Sequence, residues 1–579
     1  MTQSQRVCAS PPRAGKKFRY TVAVETRHPL RRSLLLLLLA AALLAAGCSS
    51  DPPGPRVSLS FPAAAHAAPI TGRVFVFFTH ADKPEPRLQI NGYNGSIPFF
   101  AVDVDQLPPG QPAVVDNSAL GTVVNHLSDL PAGDYYVQGL MNVYTRFPRA
   151  DGHVIWAHMD QWEGQQFNIS PGNLISAVQK VHWDPAHPAA LTLSLDQVLP
   201  PRPEPQDTAW VKHVKMQSPM LTRFWGHPIF MGATVLLPAG YEQNPKQTYP
   251  VVYVQGHFGL RAPYGFDPTP SQPTARTRER REVYGVETGY EFYQDWTSPS
   301  FPRMIVVTLQ HPTPFYDDSY AVNSVNSGPY GDAITQELIP YVETHFRVDR
   351  KPGARMLTGG STGGWESLDL QIKYPDLFGG TWTLYPDPLD FHHFQMVNLY
   401  DDSNAFQAPG LGEWLQTPRY MSRQPDGQPL VNEQQMSRAE AVLGTHGRSG
   451  QQLDVFFSTF GPIGADGYPV PLWDLNTGVI NKDAVAYARD HGYDLTAYLK
   501  QNWPTLGPKL VNKIHVDVGD MDTYYLNLGV YDMQNFLKTT QNPHYEGTFV
   551  YGRPEKPHGW NGGITQAEML RQIFQAVRR

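Results

Sequence analysis

Residues 355–365 read RMLTGGSTGGW. Arg355–Thr358 is a short apolar strand candidate, and Gly359-Gly360-Ser361-Thr362-Gly363 follows it directly. Trp365, Leu368 and Ile372 then recur at helical spacing. A serine placed between a strand and a helix, with glycines on either side, fits a nucleophile elbow. The turn is tight and strained, so its neighbours must be minimal. The serine then stands at the start of a helix, where unpaired backbone N–H groups stabilise developing negative charge. Ser361 is therefore the candidate nucleophile, and Thr362 the candidate donor of one oxyanion-hole N–H. The alternative is a glycine-rich turn with a spectator serine; the flanking strand and helix favour the elbow.

Working outward, apolar strand candidates occur at Ala233–Leu237, Val251–Val254, Met304–Leu309, Thr381–Leu384, Ile514–Val518 and Thr548–Tyr551. Helical patterns lie between them. Asp332–Phe346 carries Ile334, Leu338, Val342 and Phe346; Tyr524–Lys538 and Gln566–Val577 are further helices, the last with Thr565 as its N-cap. Alternating strands and helices imply an α/β fold with a doubly wound, mostly parallel sheet covered on both faces. An elbow in this fold orders its partners as serine, acid, histidine along the chain. The strand ending at Val518 is followed by Asp520 and Asp522, two candidate acids. The strand at Thr548–Tyr551 is followed by His558, the candidate base. His544 precedes that strand and so lies at its wrong end. The interval from Leu384 to Ile514 far exceeds a normal crossover. It reads as an inserted cap over 395–500 with a helix at Glu433–Leu443, which leaves 201–394 and 501–579 as the catalytic domain. Neither an HExxH pair nor an EF-hand loop is present, and acyl transfer through a serine needs no metal or organic cofactor.

Three stretches together carry a family resemblance: Glu337–Val342 (ELIPYV), Gly359–Gly364, and Lys373–Gly380 (KYPDLFGG). In order and spacing they resemble the esterase branch of the α/β-hydrolase superfamily that includes esterase D-like, enterochelin-esterase-like and feruloyl-esterase-like enzymes. The resemblance covers about 210–400 and 505–579. It implies a serine esterase acting through an acyl-enzyme on a small-molecule or glycan-linked ester. It also implies that the acid follows a Gly-x-x-Asp pattern, which puts Asp522 rather than Asp520 in that role. In such enzymes the first oxyanion donor follows a His-Gly pair; here the pair is inverted to Gly256-His257, and the backbone N–H of Phe258 or His257 takes the place. Tyr316, Tyr320 and Trp365 are candidates for lining the substrate pocket. Asp387 and Asp390, after the next strand, read as turn formers, substrate contacts or an alternative acid.

Upstream, Val74–Phe78, Tyr135–Tyr144 and Leu191–Leu195 are β runs separated by turn residues with no good amphipathic helix between them. Residues 70–200 read as a β-sandwich-like domain, and LPPRPEP at 199–205 as a linker. Before it, Arg27, Arg31 and Arg32 precede a thirteen-residue apolar run at 34–46 and then Ala45-Ala46-Gly47-Cys48. The run is too short to span a bilayer and suits an export signal. The small residues before Cys48 resemble a bacterial lipobox. This gives a signal at 1–47, lipidation at Cys48, a tether over 48–69 and a lipid-anchored location in the cell envelope, on the outer membrane. Lys and Arg total 46 against 53 Asp and Glu, so the net charge is −7. Residues 1–47 hold eight of the basic residues and one acid, so the exported chain is more acidic still. This argues against nucleic acid as a partner. Two cysteines build no disulfide framework. Two other functions suit the same sequence: an acyltransferase of the same fold, and a non-catalytic envelope-binding lipoprotein.

Overall fold

The computed structural model describes residues 54–90, 97–410 and 415–577. The export signal and Cys48 lie outside the described residues. Among those described, no helix is long and apolar enough to cross a membrane.

Eight strands form the central sheet: β1 (Val211–Gln217), β2 (Phe230–Leu236), β3 (Val251–Gln255), β4 (Ile305–Gln310), β5 (Arg355–Gly360), β6 (Gly380–Leu384), β7 (Ile514–Gly519) and β8 (Thr548–Gly552). Their spatial order is 1-2-4-3-5-6-7-8. β1 and β2, and β2 and β4, pair antiparallel; every later pair is parallel. This is the α/β-hydrolase sheet. Its register places the site: Gln255 pairs with Gly359, Gly360 with Leu384, and Gly519 with Gly552. The segments that follow β3, β5, β6, β7 and β8 therefore all leave from one edge, where ligands bind in open parallel sheets.

Two sequence expectations change here. The helix read over Asp332–Phe346 is broken into Tyr330–Ala333, a π turn at Ile334–Leu338, and Ile339–His345. Pro340 has no N–H, and its ring crowds the carbonyl four residues back, so the wider turn relieves a contact that a regular helix would force. β1 was not read as a strand, since VKHVKMQ mixes charged and apolar residues; it forms the sheet edge, where one side stays wet.

The amino-terminal region builds two further sheets. A small one places Val57–Ser60 between Leu191–Ser194 and Ala113–Val115. From Gly54 onward this corrects the tether expected over 48–69; residues 48–53 lie outside the described residues. Val57, Leu59 and Phe61 alternate with polar residues and are buried, a two-residue period hidden among the prolines and alanines around it. The larger sheet centres on Ile70–Thr79, paired antiparallel with Phe99–Leu107 and Gly133–Pro148. Val74, Val76 and Phe78 pack toward Val57, Leu59 and Leu193 of the small sheet. Phe75 and Phe77 face the other way, onto Phe99, Phe167 and the cap residues Val442 and Leu443. The run VFVFF is apolar throughout because both of its faces are covered.

The β region is therefore not a module hung on the linker at 199–205; from Gly54 onward the chain folds as one body. Phe147, Ile155 and Ala157 share a core with Trp225 and the central sheet. The cap helix Glu433–Leu443 ends on Arg73, which is 1% exposed. The Arg73 guanidinium donates to Val442 O at 2.8 and 3.0 Å, to Ala441 O at 3.3 Å, and to Asp103 Oδ1 at 2.7 Å. It thereby satisfies carbonyls that a helix C-terminus leaves open. Arg73→Met keeps the apolar stem but strands these acceptors. The variant is expected to lose about 2–4 kcal/mol of stability, measured as a lowered midpoint in chemical denaturation.

Candidate active site

Ser361 sits between β5 and the helix Thr362–Lys373 with φ 59° and ψ −123°. A non-glycine residue holds such angles only where its surroundings dictate them. Here Ser361 N–H donates to Leu384 O at 3.0 Å, and Ser361 O accepts from Asp387 N at 3.2 Å and Trp365 N at 3.1 Å. The flanking glycines are sterically required: a Cβ at Gly363 would lie 2.1 Å from Gln255 O, and one at Gly359 would lie 2.2 Å from Gly363 O. The serine is thus presented on a strained strand-to-helix turn with its side chain in a cavity.

His558 lines the same cavity. Its Nδ1 lies 2.8 Å from Asp522 Oδ2. The imidazole ring meets Tyr385 and Tyr524 edge to face, at centroid distances of 4.7 and 4.9 Å. Asp522 is fully buried, and its other oxygen accepts from Tyr524 N at 2.9 Å and Leu526 N at 3.3 Å. Asp520 instead accepts from Lys556 N at 3.2 Å, helping to seat the loop that carries His558. His544 pairs with Thr540 O, ahead of β8.

The cavity, about 540 Å³, draws its walls from all three parts of the chain. Phe99 and Phe167 come from the β region, Leu443 and Phe456 from the cap, and Tyr316 and His257 from the loops after β4 and β3. The sequence reading did not place the β region in the site. No local signal could, because Phe167 is one aromatic in an irregular loop and reaches the cavity only by tertiary packing. Of the three aromatics expected to line the pocket, Tyr316 does so. Trp365 and Tyr320 do not: both are fully buried behind the wall, stacked edge to face at 5.4 Å and packed against Phe460.

Asp387 lies next to the serine, its Oδ1 accepting from Ser361 Oγ at 3.4 Å. Its Oδ2 accepts from Tyr320 OH at 2.5 Å, Thr362 Oγ1 at 2.9 Å and Gln452 Nε2 at 3.2 Å. Burial pushes this carboxyl above its ordinary range, while the hydroxyls of Tyr320 and Thr362 act the other way. Gln452, from the cap, also accepts from Tyr316 OH at 2.9 Å, so the cap is tied to the floor of the site. Thr362 is the first residue of the helix after the serine, where backbone N–H groups lack intrahelical acceptors. Phe258 packs its ring on Trp162, at 5.1 Å, and on Gly164 of the β region, which fixes the loop after β3.

The sheet order and the strand-to-helix turn at Ser361 are those of an α/β-hydrolase fold. Residues 230–384 match the model of the family described as "Putative esterase", and by class the protein is a carboxylic ester hydrolase. No curated protein matches the chain. Among solved structures it is similar to a ferulic acid esterase (16% identity, 64% of this chain and 99% of that one, TM-score 0.33). It is also similar to an S-formylglutathione hydrolase from Agrobacterium tumefaciens (13%, 65% and 99%, TM-score 0.34). A third is the BES protein from Bacillus cereus (12%, 64% and 98%, TM-score 0.31).

Proposed function

We propose that Ser361, His558 and Asp522 act as a catalytic triad, in an enzyme exported and lipid-anchored to the cell envelope through Cys48. One observation carries the triad. A serine held at φ 59° on a strand-to-helix turn opens into the same cavity as a histidine whose Nδ1 is bonded to a buried carboxylate. His558 takes the Ser361 proton at Nε2 as the hydroxyl attacks the ester carbonyl. Asp522 holds the imidazole in the tautomer with Nδ1 protonated and stabilises the cation that forms. The N–H of Thr362 and one from Phe258 or His257 receive the oxyanion, each worth about 3–4 kcal/mol. His558 then returns the proton to the leaving alcohol, and water attacks the acyl-enzyme by the same route in reverse. Asp387 holds the serine hydroxyl between turnovers, so the hydroxyl turns from Asp387 to His558 when substrate enters.

The cavity chemistry supports a neutral ester. Phe99, Phe167 and Phe456 offer apolar walls, and the amides of Gln166 and Asn168 offer partners for hydroxyl groups. The envelope location rests on the basic flank, the apolar run at 34–46 and the small residues before Cys48.

A fluorophosphonate probe tests the triad. It is expected to label the protein once, with the adduct on the peptide that contains Ser361, and p-nitrophenyl butyrate should compete with it. Adduct formation on a different serine in an active preparation would remove Ser361 from the mechanism.

A further inference from the structure

Several polar side chains that wall the cavity over Ser361 are committed to protein partners. Gln165 Nε2 donates to Thr313 O at 2.6 Å and to His158 O at 3.3 Å, Gln451 Nε2 donates to Gly450 O at 2.9 Å, and His257 Nδ1 meets Asp317 Oδ1 at 3.1 Å. Gln395, in the segment after β6, is different. It lines the same cavity at 5% exposure, and its Oε1 is buried with no hydrogen-bond partner. Among the described residues, it is the cavity-lining side chain that leaves a buried polar atom unpaired. A carboxamide so placed has lost its bonds to water and gained none from the protein.

The backbone supplies an independent observation. Phe394 and Val397 exchange two backbone hydrogen bonds, at 2.9 and 3.1 Å, which close a two-residue hairpin around Gln395 and Met396. Gln395 holds φ 57° at the first of the two central positions. Tight hairpin turns place glycine, asparagine or aspartate there, because a longer side chain is strained at positive φ. Glutamine retains that strain, and what it adds over glycine is an amide at the cavity wall. Its neighbours tie the turn to the apolar side of the cavity. Phe394 packs edge to face on Phe456 at 4.9 Å, and Met396 O accepts from Arg419 Nη1 at 3.2 Å, two residues before Met421. Phe456 and Met421 both line the cavity.

We infer that Gln395 is a specificity residue whose carboxamide binds one hydroxyl group carried on an otherwise apolar arm of the ester. This rests on the reading of Ser361 as the nucleophile of an ester hydrolase. A hydroxyl both donates and accepts, so it pairs with whichever end of the amide, Oε1 or Nε2, faces the cavity. The last side-chain torsion of glutamine is broadly two-fold, so both orientations are open. An ion in the same place would exchange its hydration for a neutral partner, which is unfavourable. A plain alkyl chain would leave the amide unpaired, and a site built to pair a hydroxyl discriminates against the analogue that lacks it. The hydroxylated arm is the acyl chain or the alcohol, and the same contact serves either.

The test measures kcat/KM on the full chain for matched pairs of esters. On the acyl side, p-nitrophenyl butyrate is compared with p-nitrophenyl 3-hydroxybutyrate, and p-nitrophenyl hexanoate with p-nitrophenyl 6-hydroxyhexanoate. On the alcohol side, hexyl butyrate is compared with 6-hydroxyhexyl butyrate by titration of the acid released. The parent is expected to favour the hydroxylated member about tenfold in one of the two arms, which identifies the side of the ester that Gln395 reads. In Gln395→Leu, which keeps the bulk and loses the amide, that ratio is expected to fall to about one. Gln395→Gly suits the turn, so it is expected to melt no lower than the parent and to lose the preference as well. It keeps the test open if the leucine variant does not fold. A ratio near one in both arms of the parent, with the plain esters still hydrolysed, overturns the role of Gln395 and leaves the serine mechanism standing. So does a preference that survives in Gln395→Leu or Gln395→Gly. Failure of the parent to hydrolyse any of these esters overturns both readings.

Discussion

Ser361→Ala is expected to lower kcat for p-nitrophenyl butyrate by about 10⁴–10⁶-fold, with KM changed by no more than a few-fold. The substitution removes one oxygen and nothing else. The cavity, the helix-terminal N–H of Thr362 and the His558–Asp522 pair all remain, so substrate still binds and the oxyanion donors still lower the barrier for attack by water. That residual term keeps the variant above the uncatalysed rate. The backbone angles of Ser361 are as unfavourable for alanine as for serine, and the bonds that impose them are made by main-chain atoms. The melting temperature should therefore stay within a degree or two of the parent, which separates a chemical loss from an unfolded sample. Equal rates in parent and variant would end the serine mechanism.

The second large effect is that of Asp522→Asn, expected to reduce kcat by about 10⁴-fold with little change in KM. Asp522 Oδ1 is gripped by two backbone N–H groups, so the carboxamide oxygen takes that side and its NH₂ is left facing His558 Nδ1. A donor there forces the imidazole to accept at Nδ1 and to carry its proton on Nε2, the atom that must receive the serine's proton. The base is lost although its position is kept. Asp520→Asn is the matched control. Asp520 accepts one backbone N–H from the His558 loop and does not touch the ring, so less than tenfold is expected. Rates measured on both variants at saturating substrate decide between the two carboxylates; a larger loss in Asp520→Asn would reverse the assignment.

Much of the hydrolase architecture was legible in the sequence because its signals are local. The helices at Glu433–Leu443 and Gln566–Gln575 follow from apolar spacing and capping residues, and Thr565 does accept from Glu568 N. The elbow is readable because the steric demands of one turn fall on five successive residues. Positions before and after each strand could be ordered from the chain, so His558 could be preferred to His544 without coordinates. The end of a strand alone offered both Asp520 and Asp522; the Gly-x-x-Asp resemblance favoured Asp522, and the loop after β7 turns that residue toward the imidazole.

Other features were hidden for equally physical reasons. Trp365 and Tyr320 look like pocket aromatics from their neighbourhood in sequence, but burial is a property of what packs on a side chain from elsewhere; here Phe456 and Phe460 of the cap cover Tyr320. Asp387 was visible as an acid after a strand, while its place against Ser361 depends on how β6 meets β5.

The sequence by itself determined that this chain builds an α/β-hydrolase sheet with an elbow at Ser361, since strand and helix periods and a glycine-bounded turn are written in consecutive residues. The tertiary structure alone decided that the β region and the cap close one cavity over that serine, and that His257, Asp317 and Asp318 meet beside it. Those contacts join residues far apart in the chain, and they exist only once burial of apolar faces such as Phe75, Phe77, Val442 and Leu443 has drawn the separate sheets and helices together.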